Sequence, residues 1–145
     1  SIATRPMARV VEPLRAMGAH IEGRDGGRYA PLVIRGGALT GIDYTPPVAS
    51  AQVKSAILLA GLAADGPTTV REPIVTRRHT EEMLAAHGVD ITTEQTSEGS
   101  VVTLVPGPVS PGDLAVPGDP SQAAFWIAVA AAIPGSDLTV EVHSS

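Results

Sequence analysis

Apolar residues recur along the chain with helical spacing in some segments and alternate with polar residues in others, which predicts a mixture of helices and strands. Val10, Leu14 and Met17 repeat at helical spacing and are followed by Gly18, so we expect a core-facing helix that begins near Arg5. The same patterns predict helices at 49–63, 77–87 and 122–133, a tight turn at 24–27, and strands at 19–22, 29–34, 39–44, 68–71, 89–93, 101–105, 113–116 and 138–142.

Residues 47–62 combine two prolines, a short polar cluster and a helix that is apolar nearly all round. Val53, Ile57 and Leu59 do not share one narrow stripe of that helix, so we expect most of its sides to be buried. A buried helix that opens with small polar residues leaves backbone N–H groups free at its start, and such groups can hold an anion. An ordinary N-cap on a core helix is the alternative interpretation, and the segment taken alone does not separate the two.

Identical residues recur at an offset of 70 positions, without a gap, over nearly the whole overlap of the chain with itself. The repeating unit consists of a strand, a buried helix, a strand, an amphipathic helix and two hairpin strands. We therefore predict an α/β (α+β) architecture of βαβαββ units, with mixed sheets and amphipathic helices around buried helices. The matching pairs include Leu14 with Leu84, Gly18 with Gly88, Asp43 with Asp113, Gln52 with Gln122 and Ile57 with Ile127.

The repeat divides the chain into three parts. Residues 1–38 contain the second half of one unit, residues 39–110 a complete unit, and residues 111–145 the first half of the next. Because a natural protein seldom begins and ends inside its structural units, we expect the chain to be a fragment of a longer protein.

Composition excludes several classes of function. The 145 residues carry a formal net charge of −5 and no basic tract, and aromatic residues make up only 3%, so nucleic acid is not expected as a partner. The chain has no cysteine, which excludes disulfides, thiolate metal sites and cysteine nucleophiles and is compatible with a cytoplasmic location. The longest apolar run, residues 123–133, is too short to span a bilayer, so no membrane partner is expected.

The segment Ser-Ala-Gln-Val-Lys-Ser-Ala-Ile-Leu-Leu-Ala-Gly-Leu at residues 50–62 resembles, nearly letter for letter, a signature of the 5-enolpyruvylshikimate-3-phosphate synthases. Three further segments resemble motifs of that family in the same order: Thr-Arg-Pro-Met at 4–7, Thr-Arg-Arg-His-Thr-Glu at 76–81 and Val-Pro-Gly-Asp-Pro-Ser-Gln-Ala-Ala-Phe at 116–125. The resemblance implies the enolpyruvyl transferase fold, with two similar domains of three βαβαββ units each. It also implies that residues 111–145 contain the crossover to the second domain and the start of that domain.

The family transfers the enolpyruvyl group of phosphoenolpyruvate to the 5-hydroxyl of shikimate 3-phosphate and releases phosphate, without a metal or an organic cofactor. By this resemblance, the Ser50 hydroxyl and the Ala51 N–H bind the shikimate phosphate, Gln52 contacts the ring hydroxyls, and Arg77 contacts the phosphate. Arg5, together with Gln52, corresponds to the residues that hold phosphoenolpyruvate. The resemblance further implies that the parent protein is a cytoplasmic monomer of the shikimate pathway.

Other polar residues near these motifs receive different interpretations. Thr76 and Glu81 flank the expected site, and His79 is interpreted as structural because no nucleophile or metal partner accompanies it in the sequence. Lys54 is either a minor phosphate neighbour or a charged exception on a buried face. Asp119 is expected to cap its helix.

Groups that the family needs for acid–base chemistry are not found among these motifs. The resemblance assigns those groups, and a Lys-Ser pair of the substrate site, to other parts of the parent protein. We therefore predict no catalytic residue in this chain and no turnover by the chain alone.

The Ser-Ala-Gln-Val-Lys segment is similar to the class II branch of the family, which is known for glyphosate tolerance. That branch has Asp or Asn between the Arg and the His of the second motif, whereas this chain has Arg78. Two alternatives accompany the main interpretation. One is a fragment of the sister transferase that acts on UDP-N-acetylglucosamine, and the other is a non-catalytic repeat module that binds partners through exposed unit edges.

Overall fold

The computed structural model describes residues 2–113, 116 and 118–141. The chain divides into two compact units, Ser1–Pro111 and Gly112–Ser145. The predicted division at 38/39 and 110/111 into repeat units stays a prediction. The helices are α1 (Ala8–Ala16), α3 (Ala51–Gly61), α4 (His79–Ala86) and α5 (Pro120–Ala132), and the single turn α2 (Arg24–Gly27) has left-handed backbone angles at Asp25 (φ 53°) and Gly26 (φ 67°), as a tight turn does. The strands are β1 (His20–Gly23), β2 (Tyr29–Arg35), β3 (Asp43–Tyr44), β4 (Thr68–Glu72), β5 (Ile91–Thr96) and β6 (Gly99–Leu104).

The first unit contains two sheets. Strands β1 and β2 form an antiparallel pair, and the second sheet has the order β3-β4-β6-β5. In that sheet β3 and β4 are parallel, whereas β4 with β6 and β5 with β6 are antiparallel. A parallel pair joined through α3, followed by α4 and an antiparallel hairpin, is the predicted βαβαββ order, so the expected mixed α/β fold is confirmed.

Helix α3 lies in the centre of the core of the first unit. Its Ile57 and Leu58 are fully buried and pack with Val70 of β4 and Val102 of β6. The prediction that most sides of this helix are buried is therefore right, but Leu59 is 48% exposed. The side of α3 that carries Leu59 faces an open hollow instead of the core.

Two predicted strands are shorter than expected or absent. The predicted strand at 39–44 is regular only at Asp43–Tyr44, with a separate parallel bridge between Leu39 and Ala64. Residues 138–141 form no strand with any described residue. Residue 142 and part of the predicted strand at 113–116 lie outside the described residues.

Helix α5 confirms the predicted secondary structure but not the predicted burial. Its repeat counterpart α3 is a core helix, yet none of the residues of α5 is buried. Phe125 is 71% exposed and Trp126 is 68% exposed. The physical reason is that the second unit contains, among its described residues, no sheet against which this helix could pack.

Charged side chains of α3, β4 and α4 form a buried cluster. Lys54 of α3 is fully buried, and its Nζ lies 2.9 Å from Oε2 of Glu72 and 2.7 Å from Oε1 of Glu81. Ser100 of β6 donates a hydrogen bond of 3.2 Å to the same Glu72 oxygen. A buried ammonium is tolerated only when it is paired and hydrogen-bonded, so this cluster ties four elements together. Lys54 is therefore the charged exception on a buried face, the second of its two predicted interpretations.

Replacing Lys54 by Met tests this role. The Lys54→Met variant keeps a long side chain but leaves Glu72 and Glu81 buried without their cation, so we expect a loss of about 3–5 kcal/mol in the free energy of unfolding. Urea unfolding followed by circular dichroism measures it.

Arg71→Met is the matched control. Arg71 pairs with Asp43 at 2.6 Å, but their side chains are 51% and 54% exposed. Hydrogen bonds from Arg71 lower the pKa of the Asp43 carboxyl, yet solvent screens this pair, so its loss should cost far less stability. Equal losses in the free energy of unfolding for Lys54→Met and Arg71→Met would contradict the structural role of the Lys54 cluster.

Candidate functional site

The start of α3 forms one wall of the candidate site. Ser50 is the N-cap residue, with an extended backbone (φ −156°, ψ 109°), and its Oγ accepts a hydrogen bond of 3.4 Å from the Val53 N–H. The first N–H groups of a helix have no partner within that helix, so those of Ala51 and Gln52 are directed out of its start. The Ser50 hydroxyl retains its own proton, which it can donate to a ligand. Ser50 can therefore cap the helix and, together with the free N–H groups beside it, bind an anion.

The turn between β4 and α4 forms the opposite wall. Ser50, Ala51 and Gln52 line an open hollow of about 520 Å³ together with Thr76 and Arg77. We call this space the Ser50–Arg77 hollow. The helix predicted at 77–87 begins only at His79, so Arg77 belongs to the turn. The fold thus brings together all four residues that the sequence assigned to the shikimate 3-phosphate site.

Arg77 is the positive charge of this hollow. Its side chain is exposed and makes no hydrogen bond or ion pair with any described residue. A hydroxyl, backbone N–H groups and a free guanidinium in one concave surface match the oxygens of a phosphate group. The arrangement is suited to holding a phosphorylated anion.

A second hollow, of about 620 Å³, lies on the other side of Gln52. It is lined by Arg5, Arg9, Gln52 and apolar residues from the start of the chain and α1. Arg5 and Gln52, which were predicted to hold phosphoenolpyruvate, therefore face one space. Gln52 borders both hollows, so one side chain can contact two ligands that lie next to each other.

Arg9 is a residue that the sequence interpretation missed. Its Nη2 lies 3.5 Å from Oε1 of Gln52, at the upper limit of a hydrogen bond. The four-residue separation of Arg5 and Arg9 was a visible signal, but Arg5 precedes α1, which begins at Ala8. Only the fold shows that both arginines border the same hollow.

The remaining predicted neighbours occupy different positions. His79 lines a third hollow, of about 410 Å³, with Arg77, Ser55 and Thr80. The hydroxyls of Ser55 and Thr80 lie 2.6 Å apart, which joins α3 to the start of α4. The interpretation of His79 as structural stays a prediction.

Two further predicted residues, Glu81 and Asp119, have clear structural roles. Glu81 is 3% exposed and belongs to the buried cluster around Lys54. The Asp119 carboxylate accepts a hydrogen bond of 2.8 Å from the Ser121 N–H, so the predicted helix cap is confirmed.

The described residues contain neither a metal-binding cluster nor a membrane-spanning helix. Over residues 2–113, 116 and 118–141, no group of three or more His, Asp or Glu side chains could hold a metal ion. No helix in this part of the chain is long and apolar enough to cross a membrane.

Solved structures support the fold. EPSP synthase from Acinetobacter baumannii superimposes with a TM-score of 0.76 and 49% sequence identity, covering 90% of this chain and 29% of that one. The enolpyruvyl transferase NikO from Streptomyces tendae superimposes with a TM-score of 0.54 over 74% of this chain and 24% of NikO, and at 21% identity it supports the fold alone.

Sequence relatives identify the family. The 3-phosphoshikimate 1-carboxyvinyltransferase of Bacillus anthracis (strain A0248) is 56% identical over 142 residues, which are 97% of this chain and 32% of the relative. The Bacillus subtilis (strain 168) enzyme of the same name is 53% identical over the same shares. The chain thus spans about a third of the length of these curated relatives. The family model described as EPSP synthase (3-phosphoshikimate 1-carboxyvinyltransferase) matches residues 1–144, and the chain belongs to that family.

Proposed function

We propose that this chain supplies part of the shikimate 3-phosphate site of a 3-phosphoshikimate 1-carboxyvinyltransferase. The parent enzyme transfers the enolpyruvyl group of phosphoenolpyruvate to the 5-hydroxyl of shikimate 3-phosphate and releases inorganic phosphate. Membership of the family supports the reaction class. The observation that carries the proposal is that Ser50 and the unpaired Arg77 line one hollow.

The phosphate of shikimate 3-phosphate would lie between the two walls of the Ser50–Arg77 hollow. The Ser50 hydroxyl and the Ala51 N–H donate from one wall, and the Arg77 guanidinium donates from the other. A guanidinium can bind two phosphate oxygens at once, which fixes the direction of the ligand as well as its charge. Gln52 carries both donors and an acceptor, so it can bind the hydroxyls of the shikimate ring.

Phosphoenolpyruvate would occupy the second hollow, where Arg5 faces Gln52. The position of Gln52 between the two hollows supports this assignment, because the reaction requires the shikimate 5-hydroxyl to lie next to phosphoenolpyruvate. Arg5 would pair with the phosphate or the carboxylate of this second substrate.

The chain's own residues bind and orient the substrates in this proposal, and none of them performs the chemical step. Acid–base groups would come from the rest of the parent enzyme, and no metal or organic cofactor takes part. We further propose that the parent is a cytoplasmic monomer. The class II-like segment at Ser50 makes glyphosate tolerance a property to measure on the parent, with Arg78 as the departure from that branch.

Titration of the 15N-labelled chain with shikimate 3-phosphate tests the binding site. We expect the amide signals of Ser50, Ala51, Gln52 and Arg77 to shift together, and the Arg77→Ala variant to bind about 10- to 100-fold more weakly, because a charged hydrogen-bond partner is lost. Arg78→Ala is the matched control, since Arg78 is an adjacent exposed arginine that lines neither hollow. Equal weakening by both substitutions would contradict the site.

A phosphate-release assay tests whether the chain binds substrates without catalysing the reaction. The purified 145-residue chain, supplied with both substrates, should release no phosphate above background, because the groups that move protons are not among its binding residues. The parent enzyme under the same conditions provides the positive control. Substrate-dependent phosphate release by the chain alone would refute the assignment of catalysis to the rest of the parent.

A further inference from the structure

The two walls of the Ser50–Arg77 hollow belong to separate segments of the chain. The first wall is the start of α3, which is fixed by helical hydrogen bonds. The second wall, residues 73–77, makes no backbone hydrogen bond to any described residue. A side chain must therefore hold this turn if Arg77 is to keep a defined position.

Thr76 provides that side-chain contact. Its hydroxyl donates a hydrogen bond to Oε1 of Glu72, the last residue of β4. Glu72 is 5% exposed, so Thr76 is attached to a buried carboxylate. A hydrogen bond to a charged acceptor is among the strong ones in proteins, and this one lies directly beside Arg77 in the sequence.

The Glu72 carboxylate is itself held through its second oxygen. Oε2 accepts from Lys54 at 2.9 Å and from Ser100 at 3.2 Å. With Thr76 on Oε1, both oxygens of Glu72 are engaged and the carboxylate has a fixed orientation. Thr76 is thereby bonded to an acceptor that cannot easily move.

Lys54 connects this carboxylate to the other wall. It lies one helical turn after Ser50, and its backbone N–H donates a hydrogen bond of 3.1 Å to the Ser50 carbonyl. A continuous path of contacts therefore runs from Ser50 through Lys54, Glu72 and Thr76 to Arg77. This path joins the two walls of the hollow.

We propose that Thr76, Glu72 and Lys54 form a positioning cluster that holds Arg77 opposite Ser50 at the spacing a bound phosphate requires. The consequence for ligand binding rests on the proposed function, whereas the anchoring of the turn does not. These residues act through Arg77: Thr76 also lines the hollow, but its hydroxyl is engaged by Glu72. The alternative is that the cluster only stabilises the fold.

Three variants separate the two roles. Thr76→Val removes the hydroxyl but keeps the shape of the side chain, and Thr76→Ser keeps the hydroxyl. Thr69→Val is the matched control, because it makes the same substitution at another threonine whose hydroxyl has a partner, Thr103 at 3.2 Å, outside the hollow. Thermal unfolding verifies that all three chains are folded.

The first readout is the backbone order of Arg77 in the ligand-free chain, measured by 15N relaxation. We expect an order parameter of about 0.85 for the unmodified chain, Thr76→Ser and Thr69→Val, and a value below about 0.6 for Thr76→Val. Unchanged order in Thr76→Val would overturn the proposal, as would an equal loss of order in Thr69→Val.

The second readout is the dissociation constant for shikimate 3-phosphate. Thr76→Val should bind about tenfold more weakly, whereas Thr76→Ser and Thr69→Val should stay within about twofold of the unmodified chain. One outcome separates the two proposals: Thr76→Val lowers the order of Arg77, but neither the unmodified chain nor any variant binds shikimate 3-phosphate. That result supports the anchoring of the turn and refutes the proposed function. If all chains bind equally although Arg77 has loosened, the claim that the cluster serves binding is overturned.

Discussion

The pairing of the buried Lys54 ammonium with two carboxylates is the interaction on which the rest of the first unit depends. Without Glu72 and Glu81, a charge inside the core next to Ile57 and Leu58 would be unpaired, and burying it would destabilise the central position of α3. With them, the same charge links the start of α3 to β4 and α4. The candidate site is built on the residues that surround this pairing, so the core and the binding surface share one set of contacts.

The sequence predicted the parts of this arrangement that are local. A polar cluster before an apolar helix identified Ser50 as a cap, and the 70-residue repeat predicted the strand and helix order around it. The family motifs then selected Gln52 and Arg77, which the fold brings to one hollow. Local patterns of this kind are predictable because caps and hydrophobic periodicity depend on residues close in sequence.

The parts that depend on distant residues could not be predicted in the same way. Lys54 reaches Glu72 across 18 positions and Glu81 across 27, and nothing in the spacing shows that these side chains meet. Arg9 escaped notice for the same reason, because its contact with Gln52 requires α1 to lie beside α3. The exposure of α5 is a third case, since the burial of an apolar helix is decided by its neighbours and not by its own sequence.

In the proposed site, Ser50 and Arg77 hold a single phosphate group between them. A crystal structure of the chain with shikimate 3-phosphate tests this claim most directly. We expect phosphate oxygens within about 2.7–3.0 Å of the Ser50 hydroxyl, the Ala51 N–H and the Arg77 guanidinium at the same time. A phosphate bound away from the Ser50–Arg77 hollow, or bound there with Arg77 directed into solvent, would contradict it.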